Sequence, residues 1–283
     1  MDKILQVLLF LSFILIAVLY ISNNFVSNNP TPTLLGQNNK SSNPTPMPSL
    51  ETPTPVPSGR QIKVPILLYH YIGGNPNPDD KARDALSVSP RNFDEQMEFL
   101  RKEGFQPITL DTMMAALLGQ ISLPTKPVVI SFEDGYVDLY HNAFPILQKY
   151  GFRAVAFIPT RLMGTKYYLS WEQLTIIQKS GLLSFQSHSV SHVNLTELSK
   201  ERMMLELADS KKQLEQRFGI PVNFVAYPYG FSNTQVWQTA QQAGYVGGLG
   251  TWPSTIQSEG TIFNMPRIKV SGDWDIATFA SKL

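Results

Sequence analysis

Between residues 61 and 283, seven short runs of β-branched and aromatic residues alternate with stretches of helical periodicity. That alternation restricts the chain to βα units around a parallel sheet or barrel. The predicted strands are Val64–Tyr69, Val128–Phe132, Ala154–Ile158, Leu183–Ser187, Phe224–Tyr227, Tyr245–Leu249 and Ile268–Val270. The helices between them carry their own punctuation. Ser89-Pro90 opens one, with Phe93, Met97 and Leu100 as its apolar stripe and Gly104 as its stop. Ser170 with Gln173 resembles a capping box, and Gly181 is expected to end that helix. Ser199–Phe218 stops at Gly219, and Asn233–Ala243 at Gly244.

Two segments precede this region. Ile4–Ile21 is an 18-residue run without a charge, close to the minimum for a helix that spans a bilayer. It is longer than a signal-peptide core and has no small-x-small cleavage site, so an uncleaved anchor within residues 1–26 is expected; cleavage would instead make the protein secreted. Lys3 before the segment and no further cation until Lys40 place the N-terminus inside and the remainder outside the cytoplasm. Residues 27–60 hold eight prolines with many Thr, Asn and Ser and no apolar periodicity, the composition of a disordered, semi-rigid linker.

Composition removes several classes of function. The balance of 23 Lys+Arg against 22 Asp+Glu gives no basic excess for a nucleic-acid partner. Zero cysteines exclude disulfides, thiolate metal sites and a cysteine nucleophile. Any metal must therefore use His, Asp or Glu.

In α/β barrels, functional groups collect where strands end and βα loops converge. Glu133-Asp134 follows the second strand, so that one carboxylate can bind a cation while the other handles a proton; an acidic turn with Asp134-Gly135 as its corner is the competing reading. His188 and His192 follow the fourth strand. Four residues apart, they can face one point if the segment makes a helical turn, a donor pair suited to a divalent metal of borderline softness. A surface pair is the plainer reading, against which half of the chain's four histidines fall in this window. Tyr227-Pro228-Tyr229-Gly230 follows the fifth strand, where aromatic rings could floor a sugar groove and the Tyr229 N–H could face an oxyanion, or where an ordinary turn could stand. His70 ends the first strand, as a packed residue or a functional one. His141 reads as surface or helix packing.

The order SFEDGY, HSVSH, AYPYG, at residues 131–136, 188–192 and 226–230, resembles the polysaccharide deacetylases, the NodB-homology or carbohydrate esterase family 4 domain, over roughly residues 62–283. It is most similar to the branch of poly-N-acetylglucosamine deacetylases, which shares an early PxLxYH segment, here Pro65–His70, and a terminal RIxV segment, here Arg267–Val270. The resemblance implies a distorted (β/α)7 barrel as the catalytic domain over residues 61–283. It implies a divalent ion, Zn²⁺ with Co²⁺ or Ni²⁺ as substitutes, on Asp134, His188 and His192. It further implies Glu133 as the base, His70 as the acid for the departing amine, and Tyr229 with Tyr227 and Pro228 at the oxyanion and substrate. Three departures stand out: the family's base is usually aspartate, its arginine two residues before the motif proline is Ala226 here, and Asp273-Trp274 follows the last strand, where it could equally start a helix. The implied activity is removal of N-acetyl groups from an extracytoplasmic polysaccharide by a membrane-anchored enzyme. A catalytically silent metal- and glycan-binding barrel, and an O-acetyl esterase on xylan or a cell-wall polymer, are the alternatives.

Overall fold

The computed structural model describes residues 58–75, 79 and 81–283. The expected anchor and most of the expected linker lie outside these residues; among the described residues, no helix is long and apolar enough to cross a membrane.

All seven expected strands form, two with the expected ends and five with one end moved by one or two residues: β1 (Ile66–Tyr69), β2 (Pro127–Phe132), β3 (Ala154–Ile158), β4 (Leu183–Ser187), β5 (Phe224–Ala226), β6 (Gly247–Leu249) and β7 (Ile268–Lys269). They lie in the order β6-β5-β4-β3-β2-β1-β7, and every neighbouring pair is parallel. The caps expected from sequence are present. The Ser89 side chain accepts from Asn92 N–H before a helix at Pro90–Lys102. Ser170 and Gln173 exchange both bonds of a capping box, and Gly219 closes Lys200–Phe218 in the left-handed conformation.

Residues alternate between two cores, as the pleat requires. Ile66, Val129, Val155, Phe157, Phe224, Ala226 and Leu249 meet inside the curved sheet, with Met113, Met114 and Leu117 of helix Leu110–Leu117 among them. Leu67, Tyr69, Ile130, Phe132, Ala156, Ile158 and Phe185 belong to the larger cluster that packs against the other helices.

The expected seven-stranded barrel is corrected to a parallel-stranded half-barrel. The ends of the sheet meet at one parallel bridge, Leu249 to Met265. The next rung would join the Arg267 N–H to the Gly250 carbonyl. Instead that carbonyl accepts from the Arg267 side chain, Nε to O 2.7 Å, while the Arg267 N–H goes to the Trp252 carbonyl. Closure thus gives way to a buried arginine.

Three short pairings had no sequence signal. Gln61–Lys63 runs antiparallel to Ile256–Ser258, Tyr71–Ile72 pairs with Ser87–Val88, and Gln106–Pro107 adds to β2. Order extends into the expected linker, since Ser58 O accepts from Gly260 N–H at 2.8 Å and Arg60 N–H donates to Glu259 at 3.1 Å.

After β2 the chain makes a π-helical turn, Leu139–Ala143. Asp138 and Asn142 there clamp the loop after β1: Asp138 Oδ2 accepts from Ile72 N–H at 3.1 Å and Asn142 Nδ2 donates to Ile72 O at 2.7 Å. Burial raises the Asp138 carboxyl from its usual 3.8 to about 6. Between these values the folded chain holds a proton that the unfolded chain releases, so stability falls as pH rises through that window. Asp138→Asn keeps an acceptor for Ile72 and removes the charge. It is expected to abolish this slope and to gain about 2–3 kcal/mol at pH 7, read as unfolding free energy from pH 4 to 7.

Candidate functional site

The carboxyl ends of β1, β2, β4 and β5 meet at one rim. β2 delivers Glu133 and Asp134, both buried. Asp134 and Gly135 take left-handed φ values of 68° and 69°, which turn the chain sharply and send the two carboxylates in different directions. A Cβ at Gly135 would stand 3.0 Å from the Met163 side chain, so glycine serves both the turn and the close approach.

Asp134 Oδ1 stands 3.3 Å from His188 Nε2 and 3.1 Å from His192 Nε2. Two donors that share an ion about 2.0–2.1 Å away at a tetrahedral angle lie about 3.3–3.4 Å apart. The spacing therefore fits a divalent cation on these three residues, whose ligand atoms lie within 4.8 Å of one another. His188 is completely buried, its Nδ1 donates to the Ala226 carbonyl at 2.8 Å, and its Nε2 has no hydrogen-bond partner. The backbone carbonyl thus fixes the tautomer that aims a lone pair at the centre. Charge points the same way: Glu133 and Asp134 are two buried anions, and Arg267 is one buried cation. For Asp134, burial works to raise the carboxyl, but the His188 and His192 imidazoles outweigh it and hold it below the ordinary range.

The histidines are not on a helical turn, which corrects that expectation. Ser189 and His192 are left-handed, at φ 64° and 56°, and Ser189 Oγ accepts from His192 N–H at 3.0 Å. Glu206 on Lys200–Phe218 accepts from the Val190 and Ser191 N–H groups at 3.0 and 2.7 Å. No sequence signal identified Glu206, because its partners are backbone amides.

Glu133 is gripped from two sides. Arg267 Nη2 donates to Oε1 at 2.5 Å, and His70 Nε2 lies 3.3 Å from Oε2. Burial alone would raise this carboxyl; the Arg267 guanidinium, then the His188 and His70 imidazoles, hold it well below the ordinary range. Arg267 is fully buried beside the Phe157 ring. It supplies the cation beside this carboxylate that Ala226 cannot, reaching it from the residue before β7. The sequence signal for it is the arginine that opens the terminal RIxV segment.

The AYPYG segment divides. Tyr229 is 60% exposed, with φ 61°, and its ring packs 4.7 Å from that of His192. Tyr227 and Pro228 are buried, and the Tyr227 hydroxyl donates to the Phe263 carbonyl at 2.8 Å. Tyr227 and Pro228 therefore belong to the scaffold, not to the floor of a groove: the strand alternation turns the Tyr227 ring away from the rim. His141 is exposed on the π-helical turn, as expected. Asp273-Trp274 precedes a short helix, Ile276–Ala280, capped by Asp275, and takes no part in the rim.

The family model for polysaccharide deacetylases matches residues 120–248, a span that contains Glu133, Asp134, His188, His192 and Tyr229 but neither His70 nor Arg267. YxkH of Bacillus subtilis (strain 168), a polysaccharide deacetylase by inference, is 31% identical over 75% of this chain and 73% of its own length. The poly-beta-1,6-N-acetyl-D-glucosamine N-deacetylase of Staphylococcus aureus is 28% identical over 66% of this chain and 69% of its own. Among solved structures, the Streptococcus pyogenes deacetylase PplD in complex with acetate matches with a TM-score of 0.72 and 29% identity, covering 81% of this chain and 99% of that one.

Two substitutions separate scaffold from site. Tyr227→Phe leaves a buried carbonyl unpaired and is expected to lower unfolding free energy by about 1–3 kcal/mol in denaturant titration, without lowering the amount of divalent metal bound. Arg267→Gln removes the fixed cation beside Glu133 and is expected to cost about 3–5 kcal/mol, with Arg267→Lys costing less.

Proposed function

The chain belongs to the polysaccharide deacetylase family, and on that footing we propose that it is a metal-dependent hydrolase that removes N-acetyl groups from an N-acetylglucosamine-containing polysaccharide outside the cytoplasm. The observation that carries this reading is the convergence of Asp134, His188 and His192 on one point, with a second, separately held carboxylate beside it. The named activity of the Staphylococcus aureus relative supports the choice of an amide substrate. The apolar run at residues 4–21, followed by the Pro/Thr-rich segment, supports a single-pass anchor that carries the domain on a spacer.

Asp134, His188 and His192 would hold a divalent ion, Zn²⁺ by their chemistry, which would supply Lewis acidity for the acetyl carbonyl and lower the pKa of a water. Glu133 takes the proton of the attacking water. Arg267 and His70 hold its two oxygens apart, which leaves the carboxylate with one orientation and no freedom to rotate toward the cation. The Tyr229 ring, packed against His192, shields that edge of the centre from bulk water, and the Tyr229 N–H is assigned to the developing oxyanion. The amine must leave protonated, because an amide anion is too poor a leaving group. His70 is placed for this delivery, since its Nε2 lies 3.3 Å from the carboxylate that has just gained a proton. One proton can thus pass from water to Glu133, to His70, to the amine nitrogen.

Glu133 in place of the usual aspartate fits this arrangement. The additional methylene brings the carboxylate within reach of Arg267, which enters from β7 and not from the motif before Pro228.

The test is acetate release from β-1,6-linked N-acetylglucosamine oligomers by the metal-loaded full chain. Release should be abolished by Asp134→Ala and by chelation, and restored to the chelated wild type by Zn²⁺, Co²⁺ or Ni²⁺. Failure to release acetate with any of these ions would leave a silent metal- and glycan-binding barrel. His70→Ala is expected to lower amide turnover by roughly 10²–10⁴-fold with metal content unchanged by atomic absorption. Full amide turnover in that variant would remove His70 from the mechanism. Removing Arg267 lets the Glu133 carboxyl rise, so the acid limb of the pH–rate profile should move to higher pH in Arg267→Gln.

A further inference from the structure

The three residues of the donor set are not held in the same way. His188 directly follows β4, its N–H continues the ladder to the Ile158 carbonyl at 3.1 Å, and its ring is fixed by the Ala226 carbonyl on Nδ1. Asp134 stands two residues beyond β2, at the sharp turn made with Gly135. His192 lies five residues beyond the end of β4. Its ring packs 4.7 Å from the rings of both His188 and Tyr229. Among the described residues, its polar contacts are Nε2 with Asp134 and the backbone N–H with Ser189 Oγ. The direction of this imidazole is therefore set by the backbone of residues 189–191.

That backbone is gripped from two sides. The carbonyls of Ser189 and Val190 accept from the Thr160 and Arg161 amides, at 3.3 and 2.9 Å. The amides of Val190 and Ser191 converge on a single atom, Oε2 of Glu206, at 3.0 and 2.7 Å. Successive N–H groups in a tight turn make an anion-binding concavity, and here the chain supplies the anion itself. Bonds from amides to an ionised carboxylate are among the stronger hydrogen bonds. The helix that carries Glu206 has its own fixed register: Met203, Leu207, Ser210 and Leu214 are buried along one face, and Ser210 Oγ accepts from Ser187 Oγ at 2.9 Å. A rigid element thus delivers one oxygen to the two peptide units that immediately precede His192.

We propose that Glu206 is a positioning residue for the metal centre, which acts through the Val190 and Ser191 amides on His192 and sets how tightly a divalent ion is held. It does for His192 through the peptide chain what the Ala226 carbonyl does for His188 through the ring. A ligand must be held to about 0.5 Å to serve a metal, and two left-handed residues in a four-residue span would not keep that tolerance without an anchor. This rests on the reading of Asp134, His188 and His192 as a cation site.

The test titrates the metal-free full chain with Zn²⁺ against a chromophoric chelator, for the wild type, Glu206→Gln and Glu206→Ala. Loss of a partner behind the ligands typically weakens metal binding about 10–100-fold, which is the loss expected for Glu206→Ala; Glu206→Gln keeps an acceptor oxygen and should lose less. With Co²⁺ in place of Zn²⁺, the visible absorption of Glu206→Ala should shift and weaken as His192 leaves its tetrahedral position, a change that lower stability in a folded chain does not produce. A cycle with His192→Ala decides the route. In that background Glu206→Ala should alter the residual affinity by less than about twofold. An equal loss with and without His192 would overturn the proposal and assign Glu206 to the fold at large, and so would unchanged Zn²⁺ affinity in Glu206→Ala. If Glu206→Ala does not fold, Glu206→Gln carries the same cycle. A wild type that binds no divalent ion would instead overturn the cation-site reading, and this proposal with it.

Discussion

Two carboxylates on consecutive residues, both removed from water, form the constraint around which this molecule is organised. Glu133 and Asp134 leave β2 together, and their mutual repulsion in a low-dielectric interior must be offset or the rim could not form. The structure separates the problem in two. Arg267 neutralises Glu133 by a direct charge-assisted bond, whereas Asp134 has only imidazoles within reach. The second anion is thereby left to the imidazoles, which make with it a donor set that a divalent cation would fit.

Aiming these groups requires unusual backbone. Of the five non-glycine residues with positive φ among the described residues, four are Asp134, Ser189, His192 and Tyr229. Each such conformation costs of order 1–3 kcal/mol. The cost is met by neighbours that act on backbone: Glu206 on two amides of the histidine loop, Ser189 on the His192 amide, and the Thr160 and Arg161 amides donating to the carbonyls of Ser189 and Val190. Strain is thus concentrated at the rim and resisted by helix and loop contacts behind it.

Much of this was legible in the sequence, for definable reasons. Strands such as Ala154–Ile158 and Leu183–Ser187 match the sequence reading because buried β-branched and aromatic runs leave few alternatives. Ser89, Ser170 and Asn233 announce helix starts because capping is a local interaction. Asp134, His188 and His192 come together because the order of strands in a parallel sheet brings their ends to one rim. What escaped was non-local or depended on one torsion. Arg267 and Glu133 are 134 residues apart, and no spacing rule connects them. Tyr227 and Tyr229 are two residues apart, yet one is core and the other rim, because the positive φ at Tyr229 breaks the alternation. The histidine loop needs no helical turn because two left-handed residues achieve the same convergence. The single-bridge closure at Leu249–Met265 depends on a side chain that occupies a backbone carbonyl, a substitution invisible to periodicity.

The separation between Glu133 and Arg267 also governs when the molecule can become whole. A ribosome supplies β2 well before the arginine that its buried anion needs, and in that interval the interior of the half-barrel cannot close without stranding a charge. Helices of the first half can form and pack meanwhile, but the rim must wait for the last strand. The centre is thereby incomplete until Arg267 has emerged, and loss of residues 267–283 would undo it though Asp134, His188 and His192 were still in place.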